Sequence, residues 1–172
     1  MTDAEYLAQT ERISDIFTRI MLRISDPSLG APDEITTSQY QALRHIAHNG
    51  PCSIGGLAGA LSTSQPAATM LVDRMVKRGL VLRRLSKADR RQAEVSLAAS
   101  GKEILGRIEA ERASRLAEIV KLMGPSEREQ FVVSLEHFIA AALETETPEE
   151  ACLRCGTEHN SDCILSKTRR DG

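Results

Sequence analysis

Tryptophan is absent from this sequence, and aromatic residues of any kind are few: Tyr6, Tyr40, Phe17, Phe131 and Phe138 make up 3% of 172 residues. No aromatic cluster marks out a ligand pocket. Long apolar runs are missing too. No stretch approaches the roughly 18 to 20 residues that a membrane span needs, and no apolar segment follows Met1 as it would in a signal peptide. A secreted or membrane-embedded protein is therefore not expected, and the expected compartment is the cytoplasm. No Ser-His-Asp set, phosphate-binding glycine loop or paired carboxylate stands out, so the chain is not expected to be an enzyme. Repeats and low-complexity tracts are lacking as well.

What remains is the composition of an ordinary globular domain, 41% hydrophobic and 27% charged, with a net charge of -2. That average hides an asymmetry. Between Met70 and Arg91 there are eight basic residues (Arg74, Lys77, Arg78, Arg83, Arg84, Lys87, Arg90, Arg91) against two acidic ones, Asp73 and Asp89, so the rest of the chain is acidic. A basic patch on an acidic body points to an anionic polymer as partner; a solvated charged face is the plain alternative.

Apolar periodicity organises the chain. Ile13, Ile16, Phe17, Ile20, Met21 and Ile24 lie on one face of a helix from about Asp3 to Ile24, and Pro27, Gly30 and Pro32 close it. Thr36 followed by Gln39 has the spacing of a capping box and opens a second helix that stops at Asn49-Gly50-Pro51. A short helix follows from about Ser53 to Leu61. Another begins at Ser64 as its N-cap, with Pro66 in the first turn, and runs to Arg78 before Gly79. The period then changes: Leu80-Val81-Leu82 and Val95-Ser96-Leu97 flank the polar stretch from Ser86 to Arg91 and predict a β-hairpin. Ser100 with Glu103 and Ser126 with Glu129 repeat the capping-box spacing at the head of two further helices, lined by Leu105, Ile108, Leu116, Ile119, Val120 and Met123, and by Phe131, Leu135, Phe138, Ile139 and Ala142.

The predicted fold is thus mainly α with a small β-hairpin wing: a winged helix-turn-helix plus further helices from both ends of the chain. The expected divisions are an N-terminal helix over residues 1–35, the winged helix-turn-helix over 36–99, C-terminal helices over 100–146 and a cysteine-rich tail over 147–172. Two helices joined by the tight Ser62-Thr63 turn and followed by a basic hairpin are the parts of a DNA-binding winged helix. The second helix offers Ser64, Gln65, Ala68 and Thr69 to a major groove and Arg74 to the phosphate backbone. Lys87, Arg90 and Arg91 sit on a hairpin tip narrow enough for the minor groove, where negative potential attracts guanidinium groups. Asp73 beside Arg74 also reads as a helix-surface pair, and Ser64 as a plain helix cap.

These residues resemble the MarR family of winged-helix transcription regulators from about Thr36 to Leu105. The resemblance is carried by Leu57-Ala58 with Leu61, by Ser64, and by the run from Leu71 through Asp73-Arg74 and Lys77-Arg78-Gly79 to Val81. Arg84, the triplet Asp89-Arg90-Arg91, Val95-Ser96-Leu97 and Gly101 complete it. It implies a homodimer that represses or activates a promoter by binding a near-palindromic operator, with the terminal helices over residues 1–35 and 100–146 as the dimerisation helices from both ends of the chain. It also implies that Asp89 braces a wing arginine while Arg90 reaches the minor groove, and that the effectors are small, often aromatic, acids. One departure lies in the second helix, where Ala67 and Met70 stand at positions the family often fills with Thr and Arg.

Four cysteines complete the inventory. Cys152, Cys155, His159 and Cys163 form a C-x2-C-x3-H-x3-C pattern, with Gly156 permitting a tight turn. Thiolates and imidazole at that spacing suit a tetrahedral Zn2+ site or an iron–sulfur cluster, and free or reversibly oxidised thiols are the third alternative. The common MarR pattern has no such tail. Cys52 precedes a helix whose dipole would lower its pKa, making it a candidate redox thiol; the alternative is a small residue in a turn, or an extra ligand to the tail. His45 and His48, three apart on a helix, have a spacing that can hold a metal but more often belong to core or surface. The expected function is a dimeric DNA-binding regulator, a repressor by preference, controlled by a small-molecule ligand or by the metal, iron–sulfur or redox state of the tail. A zinc-stabilised protein-interaction module built on a winged helix is the alternative.

Overall fold

The computed structural model describes residues 2–26, 35–85 and 93–145. Six helices and three short strands follow one another: α1 (Asp3–Ile24), α2 (Thr37–Asn49), β1 (Cys52–Ser53), α3 (Ile54–Ala60), α4 (Gln65–Lys77), β2 (Val81–Leu85), β3 (Ala93–Leu97), α5 (Ala99–Lys121) and α6 (Pro125–Leu143). The strands form an antiparallel sheet in the order β1-β3-β2, with Val81 opposite Leu97 and Leu85 opposite Ala93. This is the mainly helical fold with a hairpin wing that the sequence predicts. The third strand is an addition. Two residues carry no readable period, and β1 exists only because Cys52 and Ser53 meet the free edge of β3, at Val95 and Glu94.

Side-chain oxygens set most helix starts. Thr36 accepts from the Gln39 N–H at 3.3 Å while the Gln39 carboxamide accepts from the Thr36 N–H at 3.0 Å, a reciprocal cap that satisfies two otherwise orphaned donors. Thr2 and Glu5 do the same for α1, and Ser53 and Ser64 cap α3 and α4. The two later caps differ from expectation. α5 starts at Ala99 behind Ala98, which has no capping side chain, and Ser100 donates its hydroxyl to the Gly79 carbonyl at 2.5 Å instead. α6 starts one residue before Ser126: Pro125 takes the first helical position, Gly124 is the cap, and the Glu127 carboxylate accepts from the Gly124 N–H at 2.6 Å. A partner distant in sequence took Ser100, whereas a competing local cap two residues upstream displaced Ser126.

The core lies among α2, α3, α4, the sheet and the first half of α5. Leu43, Leu57, Val72, Met75, Leu80, Val81 and Val95 are fully buried, and Leu105 and Ile108 close the cluster from above. Beyond Ile108 the long α5 leaves this core. Leu116, Ile119 and Leu122 are exposed, as are Ile13, Ile16, Phe17 and Ile20 of α1, and α6 has no buried residue. Phe17 and Phe131 pack with ring centres 6.2 Å apart and their planes inclined at 60°, joining α1 to α6. Arg128 turns back over the end of α5, donating to the carbonyls of Val120, Lys121 and Met123 in its last turn.

Gly79 and Gly101 fix how α5 meets the rest. The chain leaves α4 through Gly79 at a φ of +70°, a left-handed conformation that glycine adopts without steric cost. Gly101 then brings the first turn of α5 so close to the Leu80 backbone that a Cβ would overlap the Leu80 carbonyl oxygen. Overpacking of this kind costs typically about 1–3 kcal/mol, and a clash with backbone belongs at the upper end. Gly101→Ala is expected to lower the urea midpoint accordingly; an unchanged midpoint would show that α5 can retreat freely.

Candidate nucleic-acid interface

Helix α4 is held from behind and open in front. Ala68, Leu71, Val72 and Met75 point into the core, while Gln65, Pro66, Ala67, Met70, Asp73, Arg74 and Lys77 face solvent. The turn that delivers it is closed by backbone bonds. Ser62 and Thr63 donate to the carbonyls of Gly59 and Ala58, both at 3.0 Å, and Ser62 takes a left-handed φ of 49°. At the far end, Arg78 donates to the buried Gln39 carboxamide at 3.0 Å, tying the end of α4 to the head of α2. That bond gives Arg78 a structural task.

Several polar groups of α4 are already committed. The Ser64 hydroxyl accepts from the Ala67 N–H at 3.4 Å, and the Thr69 hydroxyl donates to the Gln65 carbonyl one turn back at 2.9 Å. Asp73 pairs with Arg83 of β2 at 3.1 Å rather than with its neighbour Arg74, because adjacent helix positions diverge while β2 runs alongside. Both members are substantially exposed, so the pair aligns the hairpin with the helix more than it adds stability. Arg74 and Lys77 are left exposed at the C-terminal end of the helix.

Ala68 requires a correction: it is fully buried against the core and cannot reach a groove. Its position on the inner face, three and four residues before Leu71 and Val72, is the signal that identifies it. Lys87, Asp89, Arg90 and Arg91 lie outside the described residues, as do Cys152, Cys155, His159 and Cys163. Cys52 is half-buried in β1, where burial first and the Glu94 carboxylate second push its thiol pKa up. That direction is opposite to the lowering expected from a helix dipole, because strand β1 packs the thiol against the core before the helix begins. His45 is buried and its pKa is lowered by burial, whereas His48 borders a separate cleft. Among the described residues no cluster of His, Cys, Asp and Glu can hold a metal ion.

That cleft lies between α2 and α5 and measures about 680 Å³, within the roughly 300–1,000 Å³ of small-molecule pockets. Arg44, His48, Lys102 and Arg112 border it, with Glu109 as its acidic residue. Glu109 is shared three ways: it accepts from the Tyr40 hydroxyl at 2.8 Å and lies 3.4 Å from Arg44 and 3.6 Å from Arg112. The Nε atoms of both arginines are buried without a hydrogen-bond acceptor. One carboxylate therefore serves two guanidiniums, and the cleft has an excess of positive charge. Its cationic residues are spread from Arg44 to Arg112, so no contiguous motif announces it.

The model of the MarR family matches residues 34–92, and this segment is similar to the winged-helix domain of that family. Among solved structures, RV1404 from Mycobacterium tuberculosis is 26% identical, with a TM-score of 0.68 over 83% of this chain and 95% of that one. A MarR family protein from Bacillus stearothermophilus is 20% identical, with a TM-score of 0.73 over 83% and 99%. MepR from Staphylococcus aureus, a transcription regulator of the efflux pump MepA, is 19% identical, with a TM-score of 0.67 over 77% and 97%. A MepR variant has also been solved bound to an oligodeoxyribonucleotide. No curated protein matches the sequence. In this shared fold, α3 and α4 stand as the helix-turn-helix and β2–β3 as the wing. Among the described residues no helix is long and apolar enough to cross a membrane.

The shared carboxylate has a measurable consequence. Burial first, and then the hydrogen bond to Glu109 and its charge, push the Tyr40 phenol from 10.0 up to about 12. A folded-state value above the unfolded one means stability that is fully present below pH 10 and is lost as pH rises toward 12. Unfolding free energy should fall across that window, and Glu109→Gln should flatten the fall. Equal slopes in both proteins would remove Glu109 as the cause.

Proposed function

We propose that this protein is a homodimeric transcription regulator that seats α4 in the major groove of double-stranded DNA and the β2–β3 hairpin against the adjoining minor groove. The observation that carries the reading is the open face of α4, held from behind by α2, α3 and β2, with Arg74 and Lys77 on the helix and Arg83 and Arg84 on the neighbouring strand. Such cations fix register on phosphates, and side chains on the helix read bases. MepR, which shares the fold, has been solved with an oligodeoxyribonucleotide.

A second copy of the chain accounts for the apolar surface that one chain leaves open. Ile13, Ile16, Phe17 and Ile20 of α1 and Phe131, Val132, Val133 and Phe138 of α6 are too many exposed apolar side chains for a soluble monomer. A two-fold pairing through these helices would set the two α4 helices about 34 Å apart, one DNA turn, and a near-palindromic operator follows from that symmetry. The preferred sign of regulation is repression, by occupancy of a promoter. Control is assigned to a small organic acid in the α2–α5 cleft, where the surplus of Arg44, Lys102 and Arg112 over Glu109 favours an anion. Because α5 links the core to the apolar helices, a ligand that binds one α5 position better shifts the spacing of the α4 pair.

Salt titration tests the reading. Affinity for duplex DNA should fall steeply with salt, and Arg74→Ala should weaken binding to all sequences and reduce the slope of log affinity against log salt by about one. In the same titrations benzoate should release duplex from the unsubstituted protein but not from Arg112→Ala. Weak, salt-insensitive binding would instead favour a protein-interaction module.

The tail set Cys152, Cys155, His159 and Cys163 is proposed as a second input, a site for Zn2+ or an iron–sulfur cluster. Protein purified without air should contain zinc, or iron with a visible absorption band, and Cys155→Ser should lose it. Metal-free protein with titratable thiols would reduce the tail to free cysteines.

A further inference from the structure

The middle of the α4 outer face is apolar, and this bears on which bases it reads. With 3.6 residues per turn, Pro66, Met70, Asp73 and Lys77 fall along the line opposite Ala68, Leu71, Val72 and Met75. Asp73 is paired with Arg83, the Thr69 hydroxyl donates to the helix backbone, and Ser64 is committed to its cap. The side chain at the centre of this face is Met70, which is 61% exposed and stands one turn beyond Pro66. Gln65 flanks it toward the N-terminus, and Arg74 and Lys77 toward the C-terminus. An apolar side chain displayed this openly, between committed polar groups, has a partner of limited chemistry in a major groove. The edges there are hydrogen-bonding groups, except for the C5-methyl of thymine.

We propose that Met70 is a specificity-determining residue that selects thymine through apolar contact with its C5-methyl group. The inference rests on the reading that α4 enters the major groove. Gln65, the polar side chain of the same face nearest the helix start, reads the adjacent base pair. An unbranched thioether follows the position of a methyl group better than a branched side chain does, and covering both removes apolar surface from water. Specificity at this position then needs no hydrogen bond.

Uracil is thymine without the methyl group, so the experiment changes one group on the DNA. A duplex is selected from a random library by the full-length protein, and each thymine in it is replaced in turn by deoxyuridine. One thymine per half-site should show a loss of about four-fold, the scale of one buried methyl, and the remaining replacements should be silent. Met70→Ala, at an exposed position that leaves the fold intact, should bind the thymine duplex more weakly and become indifferent to uracil at that site. Met70→Leu should retain the discrimination and Met70→Gln lose it. Salt-dependent binding with a flat uracil series overturns the role of Met70 while leaving DNA binding intact, and so does uracil sensitivity that survives in Met70→Ala. Failure to select any duplex, with binding insensitive to salt, overturns the groove reading and this proposal together.

Discussion

The approach of Gly101 to the Leu80 backbone is the constraint on which the rest of the molecule depends. It places the start of α5 against the segment that joins α4 to β2, so the reading helix, the wing and the long helix share one junction. Ser100 reinforces it by donating to the Gly79 carbonyl, and Gly79 itself makes the turn by taking a left-handed conformation. Leu105 and Ile108 then reach the common core from the same helix. The start of α5 and the end of α4 are therefore joined through packed backbone rather than through a flexible linker.

Polar groups on α4 divide into those that build the platform and those left for a partner. Ser64, Thr69, Asp73 and Arg78 satisfy helix caps, backbone carbonyls, the hairpin and Gln39. Each of these bonds orders the helix and withdraws a donor or acceptor from the outer face. Gln65, Met70, Arg74 and Lys77 remain exposed there. In the proposed complex the cationic pair at one end would supply sequence-independent attraction, and the shorter stretch around Met70 discrimination.

A different balance holds at the α2–α5 cleft, where charge rather than packing is in excess. Glu109 takes the Tyr40 hydroxyl and lies beside two guanidiniums, and neither Arg44 nor Arg112 has its Nε satisfied by an acceptor. A buried donor without an acceptor carries a desolvation cost. The cleft borders the same α5 that Gly101 anchors.

Local chemistry was legible in the sequence. The Thr36–Gln39 box, the Ser64 cap, the Gly79 exit and the 3.6-residue stripes placed the helix-turn-helix within a residue or two, because each signal lies within a few positions of the element it sets. Ser100 and Ser126 both show capping spacing, yet Ser100 was taken by the distant carbonyl of Gly79, and at Ser126 the equally local Gly124–Glu127 cap with Pro125 prevailed. Ala68 and Met70 are both apolar residues of one helix, and only the side against which the core packs makes one buried and the other exposed. Strand β1, the Asp73–Arg83 pair, the raised Cys52 thiol and the three-way sharing of Glu109 join residues distant in sequence. By itself the sequence determined the helices, the hairpin and their order, since caps, periods and motifs are short-range. Which polar groups were consumed by the fold, and which were left open to solvent, was decided only when tertiary packing brought distant partners within bonding distance.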